Sequence, residues 1–112
     1  MSYFEVAPES EPTTESNGAT FWSLPNGKLH REDGPAVEWS DGSKSWYQNG
    51  ERHREDGPAV ERSDGTKFWY KNGKCHREDG PAIEYADGRN VWFINGHELT
   101  EEQFNRRVNV SV

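Results

Sequence analysis

The distribution of apolar and polar residues predicts short β-strands separated by tight turns. Apolar and aromatic runs such as 68–70 and 81–85 are rich in residues that suit strands. All eleven glycines follow Asn or Asp. Asn-Gly and Asp-Gly pairs are strong turn signals because both residues tolerate positive φ. We therefore predict an all-β, antiparallel architecture.

The strands and turns recur with a period of 23 residues. The segment HREDGPAVE occupies 30–38 and 53–61, and HREDGPAIE occupies 76–84. Half-repeats at 17–30 and 87–96 flank the full repeats. A translational array needs an even number of strands in each repeat. We predict two, one around Trp69 and one around Val60, with the HRED segment in the longer loop between them.

Side-chain alternation along each strand divides the aromatic residues between two faces. Trp46, Trp69 and Trp92 share one face, where we expect them to stack with the Val residues as a structural spine. A second aromatic row points to the opposite face. It either stabilises the sheet or forms an exposed contact stripe, because exposed aromatic patches are typical of binding surfaces. The predicted partner-binding residues are Tyr47, Phe68, Tyr70 and Phe93.

The repeated HRED segments form a predicted charged edge, for which several roles are open. The basic residues of this edge are His30, Arg31, His53, Arg54, His76 and Arg77. Equivalent His residues should lie roughly 10 Å apart, given strand spacings near 4.8 Å, which is too far for one metal ion to bridge. Catalysis needs a unique pocket with divergent pKa values, whereas three near-identical copies line an open edge. We expect no catalytic residues, no metal and no cofactor.

The main expectation for the HRED segments is structural. Each Asp precedes Gly and can bond to its own loop, each Arg can pair with carboxylates of the next repeat, and each His can donate to a buried carbonyl. A polar binding edge that reads a phosphate-bearing ligand through stacked Arg and His is the alternative.

The repeat has the form D-G-x-x-x-W-x-x-N-G-x-x-H-x-x-x-G-P-A and covers residues 17–96. In period, paired glycine turns and aromatic strand it resembles the MORN repeat in its variant form. This resemblance implies an elongated, twisted, single-layer antiparallel ribbon of hairpins that contacts other proteins, without a family-wide catalytic activity.

The two ends of the chain differ from the repeats and define three predicted regions. Residues 1–16 are acidic and predict a disordered arm, although Tyr3, Phe4 and Val6 are able to dock on a sheet edge or a partner. Residues 17–98 form the repeat domain. Residues 99–112 predict a short capping helix and tail, in which Thr100 and Gln103 form a capping box and Leu99 and Phe104 a hydrophobic staple. The N-terminal edge has no such cap, which favours a homodimer through that edge.

Composition narrows the function classes. The chain has 112 residues, of which 30% are hydrophobic, and a net charge of −7. This charge argues against direct binding of nucleic acid or anionic lipid, which need a positive surface. No apolar run is long enough for a membrane span, no signal peptide is recognised, and Cys75 has no disulfide partner in the sequence. A cytoplasmic protein is the expectation.

The predicted function is a non-enzymatic protein–protein interaction module. It is expected to act as a small inhibitor or adaptor that docks through its aromatic face or charged edge. Compact, repeat-built proteins of this kind resemble many small phage-encoded proteins, and this analogy favours an inhibitor of a host enzyme. Two alternatives remain open: a ligand-binding or sequestering protein that uses the His-Arg edge, and an acidic nucleic-acid mimic that blocks a host enzyme.

Overall fold

The computed structural model describes residues 9–108 as an open antiparallel sheet of hairpins with one short helix at its C-terminal end. The elements are β1 Glu11–Thr14, β2 Thr20–Ser23, β3 Val37–Glu38, β4 Lys44–Ser45, β5 Tyr47–Gln48, β6 Glu51–Arg52, β7 Val60–Glu61, β8 Lys67–Phe68, β9 Tyr70–Lys71, β10 Lys74–Cys75, β11 Ile83–Glu84, β12 Asn90–Ile94, β13 His97–Leu99 and α1 Glu101–Val108. Nine strands follow one another in the order β1-β2-β3-β4-β7-β8-β11-β12-β13, and two further hairpins pair β5 with β6 and β9 with β10. The sheet is not closed into a barrel, which confirms the predicted fold class.

Two kinds of turn connect these strands. In the Asn-Gly turn between β5 and β6, Asn49 and Gly50 have φ values of 50° and 85°, as a two-residue hairpin turn requires. In the Asp-Gly turn between β3 and β4, the Ser43 N–H donates to the Asp41 Oδ1 at 2.8 Å. Gly42 has a φ of 93° and forms a bulge, after which the chain continues into the next strand. Both turns recur in the following repeats, so turn chemistry sets the strand spacing.

Each repeat tryptophan divides its own strand into two pairing segments. The Trp46 N–H donates to the Ala59 carbonyl at 2.7 Å, and the Trp46 carbonyl accepts from the His53 N–H at 3.1 Å. The chain before Trp46 therefore pairs with β7, and the chain after it pairs with β6. This corrects the two-strand prediction, since the predicted long loop carries a short strand of its own in each full repeat, β6 or β10.

Cross-strand register corrects the predicted composition of the two faces. Phe68 lies directly opposite Val60 and Ile83. Because directly paired residues share a face, the aliphatic residues lie on the aromatic side and not with the tryptophans. The tryptophan side carries Ala36, Ala59 and Ala82 instead, all with 0% exposure. Small side chains leave room there for the HRED loops to cover the tryptophan rings.

The C-terminal helix confirms the predicted capping box. The Thr100 N–H donates to the Gln103 side-chain oxygen at 2.9 Å, and the Gln103 N–H donates to the Thr100 hydroxyl at 3.0 Å. Phe104 is buried, and α1 packs against β12 and β13. The Arg107 guanidinium donates to the Glu78 carbonyl at 3.1 Å, which ties the helix to the third HRED loop.

The N-terminal region differs from its predicted state where the structure describes it. Glu11–Thr14 forms β1, which pairs with β2 through four registered residues. The predicted disordered arm over 1–16 is therefore corrected for this segment. Tyr3, Phe4 and Val6 lie outside the described residues.

Candidate functional site

The arginine of each HRED loop is stacked on a tryptophan and bonded on its other sides. The Arg54 Cζ lies 3.8 Å from the Trp46 ring centroid. Its Nη1 donates to the Pro58 carbonyl at 3.0 Å and to Glu61 at 3.1 Å, and its Nε donates to Asp56 at 3.2 Å. The same contacts occur around Arg31 and Arg77. We call Arg31, Arg54 and Arg77 the inner arginines.

The glycine of each Gly-Pro-Ala segment packs against the guanidinium of the inner arginine, on the side opposite the tryptophan ring. A Cβ at Gly57 would lie 3.1 Å from the Arg54 Cζ, and Gly34 and Gly80 are equally close to their own arginines. These three glycines are not among the residues with positive φ. Glycine is therefore needed for the close approach of a guanidinium, in contrast to the turn role predicted from the sequence.

The histidine of each HRED loop links consecutive repeats. The Asn72 N–H donates to the His53 Nδ1 at 3.0 Å, and Asn49 and Asn95 bond in the same way to His30 and His76. On the other side of the ring, the Nε2 bonds to the Glu two residues later. The neutral tautomer with a proton on Nε2 satisfies both contacts. This bond to His53, reinforced by nearby Lys71, lowers the pKa of the Glu55 carboxyl.

These contacts correct the predicted bonding of the HRED segments. The inner arginine pairs with a carboxylate of its own loop and one of the strand that follows it, whereas the histidine joins the next repeat. The histidine accepts a bond from a backbone N–H, and no donation to a buried carbonyl is found among the described residues. The HRED segments keep a structural role, but their side chains bond to other groups than the sequence predicts.

The charged edge has little capacity left for a ligand or a metal. A groove of about 530 Å³ lies between the second and third HRED loops, lined by Arg54, Trp69, Lys71 and Arg77 among others. The guanidiniums on its walls already bond to carboxylates and carbonyls of the same chain. Within residues 9–108, no group of three or more His, Cys, Asp or Glu side chains is placed to hold a metal ion.

The opposite side of the sheet carries the predicted aromatic row and further rings. We call this side, which faces away from the tryptophan spine, the outer face. The ring centroids of Phe68 and Tyr70 are 6.5 Å apart, and Tyr85 meets Phe68 edge-on at 6.4 Å. Phe21 and Trp39 form a second edge-on pair at 5.5 Å, in which Trp39 is 44% exposed. The aromatic residues of the outer face are Phe21, Trp39, Tyr47, Phe68, Tyr70, Tyr85 and Phe93.

Three arginines lie over rings of the outer face. The Arg52 Cζ lies 5.8 Å from the Tyr47 ring centroid and 5.5 Å from the Tyr70 ring centroid. The Arg62 Cζ lies 5.0 Å from the Phe68 ring, and the Arg89 Cζ lies 4.5 Å from the Tyr85 ring. We call Arg52, Arg62 and Arg89 the outer arginines. All three are exposed.

The structure brings three of the four predicted partner-binding residues, Tyr47, Phe68 and Tyr70, into one cluster. Phe68 contacts Tyr70, and Arg52 lies between Tyr70 and Tyr47. Phe93 lies in the next repeat, opposite Glu98. Sequence reasoning missed Trp39, Arg62 and Tyr85, although each lies two residues after a Val or Ile of the second strand, so alternation places it on the same face.

Cys75 lies opposite Tyr70 on β10 and is half-buried. Burial raises the pKa of its thiol to about 11. The thiol is therefore neutral at physiological pH and a weak nucleophile.

Comparison of the chain with protein-family models, curated proteins and solved structures found no match. The resemblance to the MORN repeat stays a prediction. No helix among residues 9–108 is long and apolar enough to cross a membrane.

Proposed function

We propose that this chain is a non-enzymatic interaction module that binds another protein through its outer face. The observation that carries the proposal is the cluster of Phe68, Tyr70 and Tyr85 with exposed arginines beside the rings. Aromatic residues and arginine are the types most enriched at protein interfaces and at their energetic hot spots.

Exposure of Trp39 adds to this argument. Trp39 is the exposed large hydrophobic side chain among the described residues, and its ring meets the Phe21 ring edge-on on the same face. Its neighbours Val37 and Ser45 on the same face are buried, so the indole is the part of this end that a partner could contact. A partly exposed indole is suited to packing into a pocket of a partner protein.

The HRED side is less suited to recognise a ligand. Its inner arginines bond to internal carboxylates, and its histidines bond on both ring nitrogens. A sequestering function through His30, Arg31 and their equivalents would have to break these bonds. The HRED side is thus occupied by internal bonds, and the outer face is the side available to a partner. This difference supports a cytoplasmic inhibitor or adaptor with no cofactor and no catalytic residue.

The acidic-mimic function is the second candidate because the tips of the HRED loops carry exposed carboxylates. Asp33, Asp56 and Asp79 each expose more than four-fifths of their side chains, with Glu32, Glu55 and Glu78 beside them. A regular row of carboxylates is able to occupy a basic groove of an enzyme that binds nucleic acid.

One capture experiment separates the two candidates. The tagged wild-type chain is compared with Trp39→Ala plus Tyr85→Ala on the outer face and with Glu55→Gln plus Asp56→Asn on a loop tip. Interface rings typically cost about 2 kcal/mol or more when truncated, so the outer-face variant should lose the captured protein. The loop variant should keep it. The reverse result, together with loss of capture in high salt, would favour the mimic.

The homodimer that the sequence predicts through the N-terminal edge stays untested, and the backbone of β1 argues against it. Strand alternation directs the backbone of Pro12 to the open side of β1, since the Glu15 N–H bonds to Ala19 on the β2 side. Proline has no N–H to offer a second strand, so this edge is a weak template for pairing.

A further inference from the structure

The inner arginines differ in their bonding from two of the outer arginines, Arg52 and Arg62, whereas the third outer arginine, Arg89, pairs with Asp87 at 2.8 Å. Each inner arginine has internal carboxylate partners, such as Glu61 for Arg54 at 3.1 Å. Arg52 and Arg62 contact rings, and their guanidiniums form no direct ion pair with a carboxylate within residues 9–108, although Arg62 lies near enough to Asp64 to help lower its pKa. What distinguishes Arg52 and Arg62 from other exposed cations without an ion pair is their place over the rings of the outer face.

Carboxylates are nearly missing from the same face. Register places Glu38, Glu61 and Glu84 on the tryptophan side, where they bond to the inner arginines. The acidic residues of the Asp-Gly turns and of the HRED loops lie beyond the strand ends. Among the described strand residues, register assigns two carboxylates to the outer face, Glu98 opposite Phe93 and Glu11 opposite Ser23. Both lie in end strands of the sheet, so the part of the outer face around Phe68 and Tyr70 is cationic and aromatic, although the chain is acidic.

We propose that the outer face binds an acidic, extended segment of a partner protein, with Arg52 and Arg62 as the residues that bind its carboxylates. This inference rests on the proposed function and specifies its partner. A guanidinium beside an aromatic ring keeps its N–H edge free, and that edge matches a carboxylate with two parallel hydrogen bonds. The rings also hold the guanidinium in place, which lowers the entropy lost when the carboxylate binds.

The spacing of the rings indicates the pattern of the segment. Arg62 lies over Phe68, Phe68 contacts Tyr70 at 6.5 Å, and Tyr70 lies beside Arg52. Alternate side chains of an extended strand are about 6.6 Å apart on one side. An apolar side chain placed over the two rings would have acidic neighbours two residues before and after it that face the two arginines. The expected pattern is acidic-x-apolar-x-acidic.

A protein segment fits this face better than a nucleic acid. A single strand stacks on aromatic rings, but it needs a positively charged groove that follows many phosphates. Here the two free guanidiniums lie in one cluster, and the strand ends on either side carry Asp-Gly turns and acidic HRED loops. These carboxylates would repel a phosphate backbone that extended beyond the cluster.

The test uses a fluorescently labelled peptide, Glu-Ser-Phe-Ser-Glu, and its counterpart with Gln in place of Glu. Fluorescence anisotropy with the full chain at low ionic strength should show binding of the acidic peptide. Arg52→Gln with Arg62→Gln should weaken this binding about tenfold or more, as expected for loss of charge-assisted hydrogen bonds. Arg106→Gln on α1 removes one exposed cation away from the face and should leave the affinity unchanged.

Three outcomes would overturn the inference. They are equal affinity for the Glu and Gln peptides, an unchanged affinity in the double Arg variant, and tighter binding of oligo-thymidine than of the acidic peptide. Melting curves of the double variant check that it folds, which its exposed side chains lead us to expect. If Trp39→Ala plus Tyr85→Ala loses the captured protein while the double Arg variant keeps it, the proposed function stands and this inference fails.

Discussion

Replacing Gly57 with alanine should destabilise the protein, although the backbone of Gly57 is able to accept a side chain. Its φ is not in the positive range, so no backbone strain is expected. At such a position Gly→Ala ordinarily stabilises by about 0.4–1 kcal/mol, because the unfolded chain loses freedom. Here the new Cβ would lie 3.1 Å from the Arg54 Cζ and 3.2 Å from its Nη1. The guanidinium must move away from Gly57, and Trp46 blocks the other side.

The magnitude follows from what Arg54 would lose. A cation–π contact with tryptophan contributes about 0.5–2 kcal/mol, and each hydrogen bond to a charged group about 1.5–3 kcal/mol before solvent screening. The Arg54 side chain is 24% exposed and Glu61 38%, so screening reduces the second value. We expect a net loss of about 1–3 kcal/mol in unfolding free energy, measured by urea denaturation with tryptophan fluorescence.

The sign of the effect should depend on Arg54. In an Arg54→Ala background the clash is absent, so Gly57→Ala should become neutral or stabilise by up to about 1 kcal/mol. Gly65→Ala is the control, since its φ of 95° makes the substitution unfavourable in both backgrounds. If the effects of Gly57→Ala and Arg54→Ala add to within about 0.5 kcal/mol, the stacking explanation for this glycine is wrong.

Three further predictions concern other parts of the repeat. His53→Ala should lower stability by about 1–2 kcal/mol in the same assay, because the Asn72 N–H loses its acceptor, and an unchanged midpoint would contradict the link between repeats. The hydrogen bond from the Thr66 N–H lowers the pKa of the Asp64 carboxyl below 3.8. The stability that this turn contributes should therefore be complete above about pH 5 and lost as the pH falls through the lowered pKa. Asp64→Asn should keep the hydrogen bond and remove this pH dependence. Pro12→Thr should promote concentration-dependent dimers in sedimentation experiments, whereas Thr13→Ser should not, and a wild-type dimer through β1 would refute the role assigned to Pro12.

Local chemistry was predictable from the sequence, and contacts between distant segments were not. The Asn-Gly and Asp-Gly pairs predict the hairpin turns, and Thr100 with Gln103 predicts the helix start, because these bonds join residues two to four positions apart. The stacking of Arg54 on Trp46 joins a residue of the HRED loop to one that lies eight positions earlier, across the β5–β6 hairpin, and no spacing rule predicts it. For the same reason the sequence alone predicts a turn role for Gly57.

The assignment of the faces failed for a related reason. Alternation within one strand correctly separates Trp69 from Phe68 and Tyr70, yet it does not say which face of the next strand is aligned with them. The alignment of the faces depends on the register between the two strands. The bulge at the Asp64-Gly65 turn sets this register, in which Val60 pairs with Phe68. The outer arginines were missed with it, since Arg62 joins the aromatic row only once Val60 is placed on that face.

The differences among the repeats support a division of labour between the two sides. The HREDGPA segment is identical in all three copies, because each copy must form the same stack and the same histidine link. On the outer face the aliphatic row and the row of Tyr47 keep their residue types, but two other rows change completely: Ser45, Phe68 and Val91 in one, and Trp39, Arg62 and Tyr85 in the other. Hairpin tips vary as well, but they do not form a cluster of contacting rings. A surface that served only to stabilise the sheet would tolerate the same residue in every repeat. Distinct residues at each step instead make the face asymmetric, and an asymmetric face is able to bind one partner in one register.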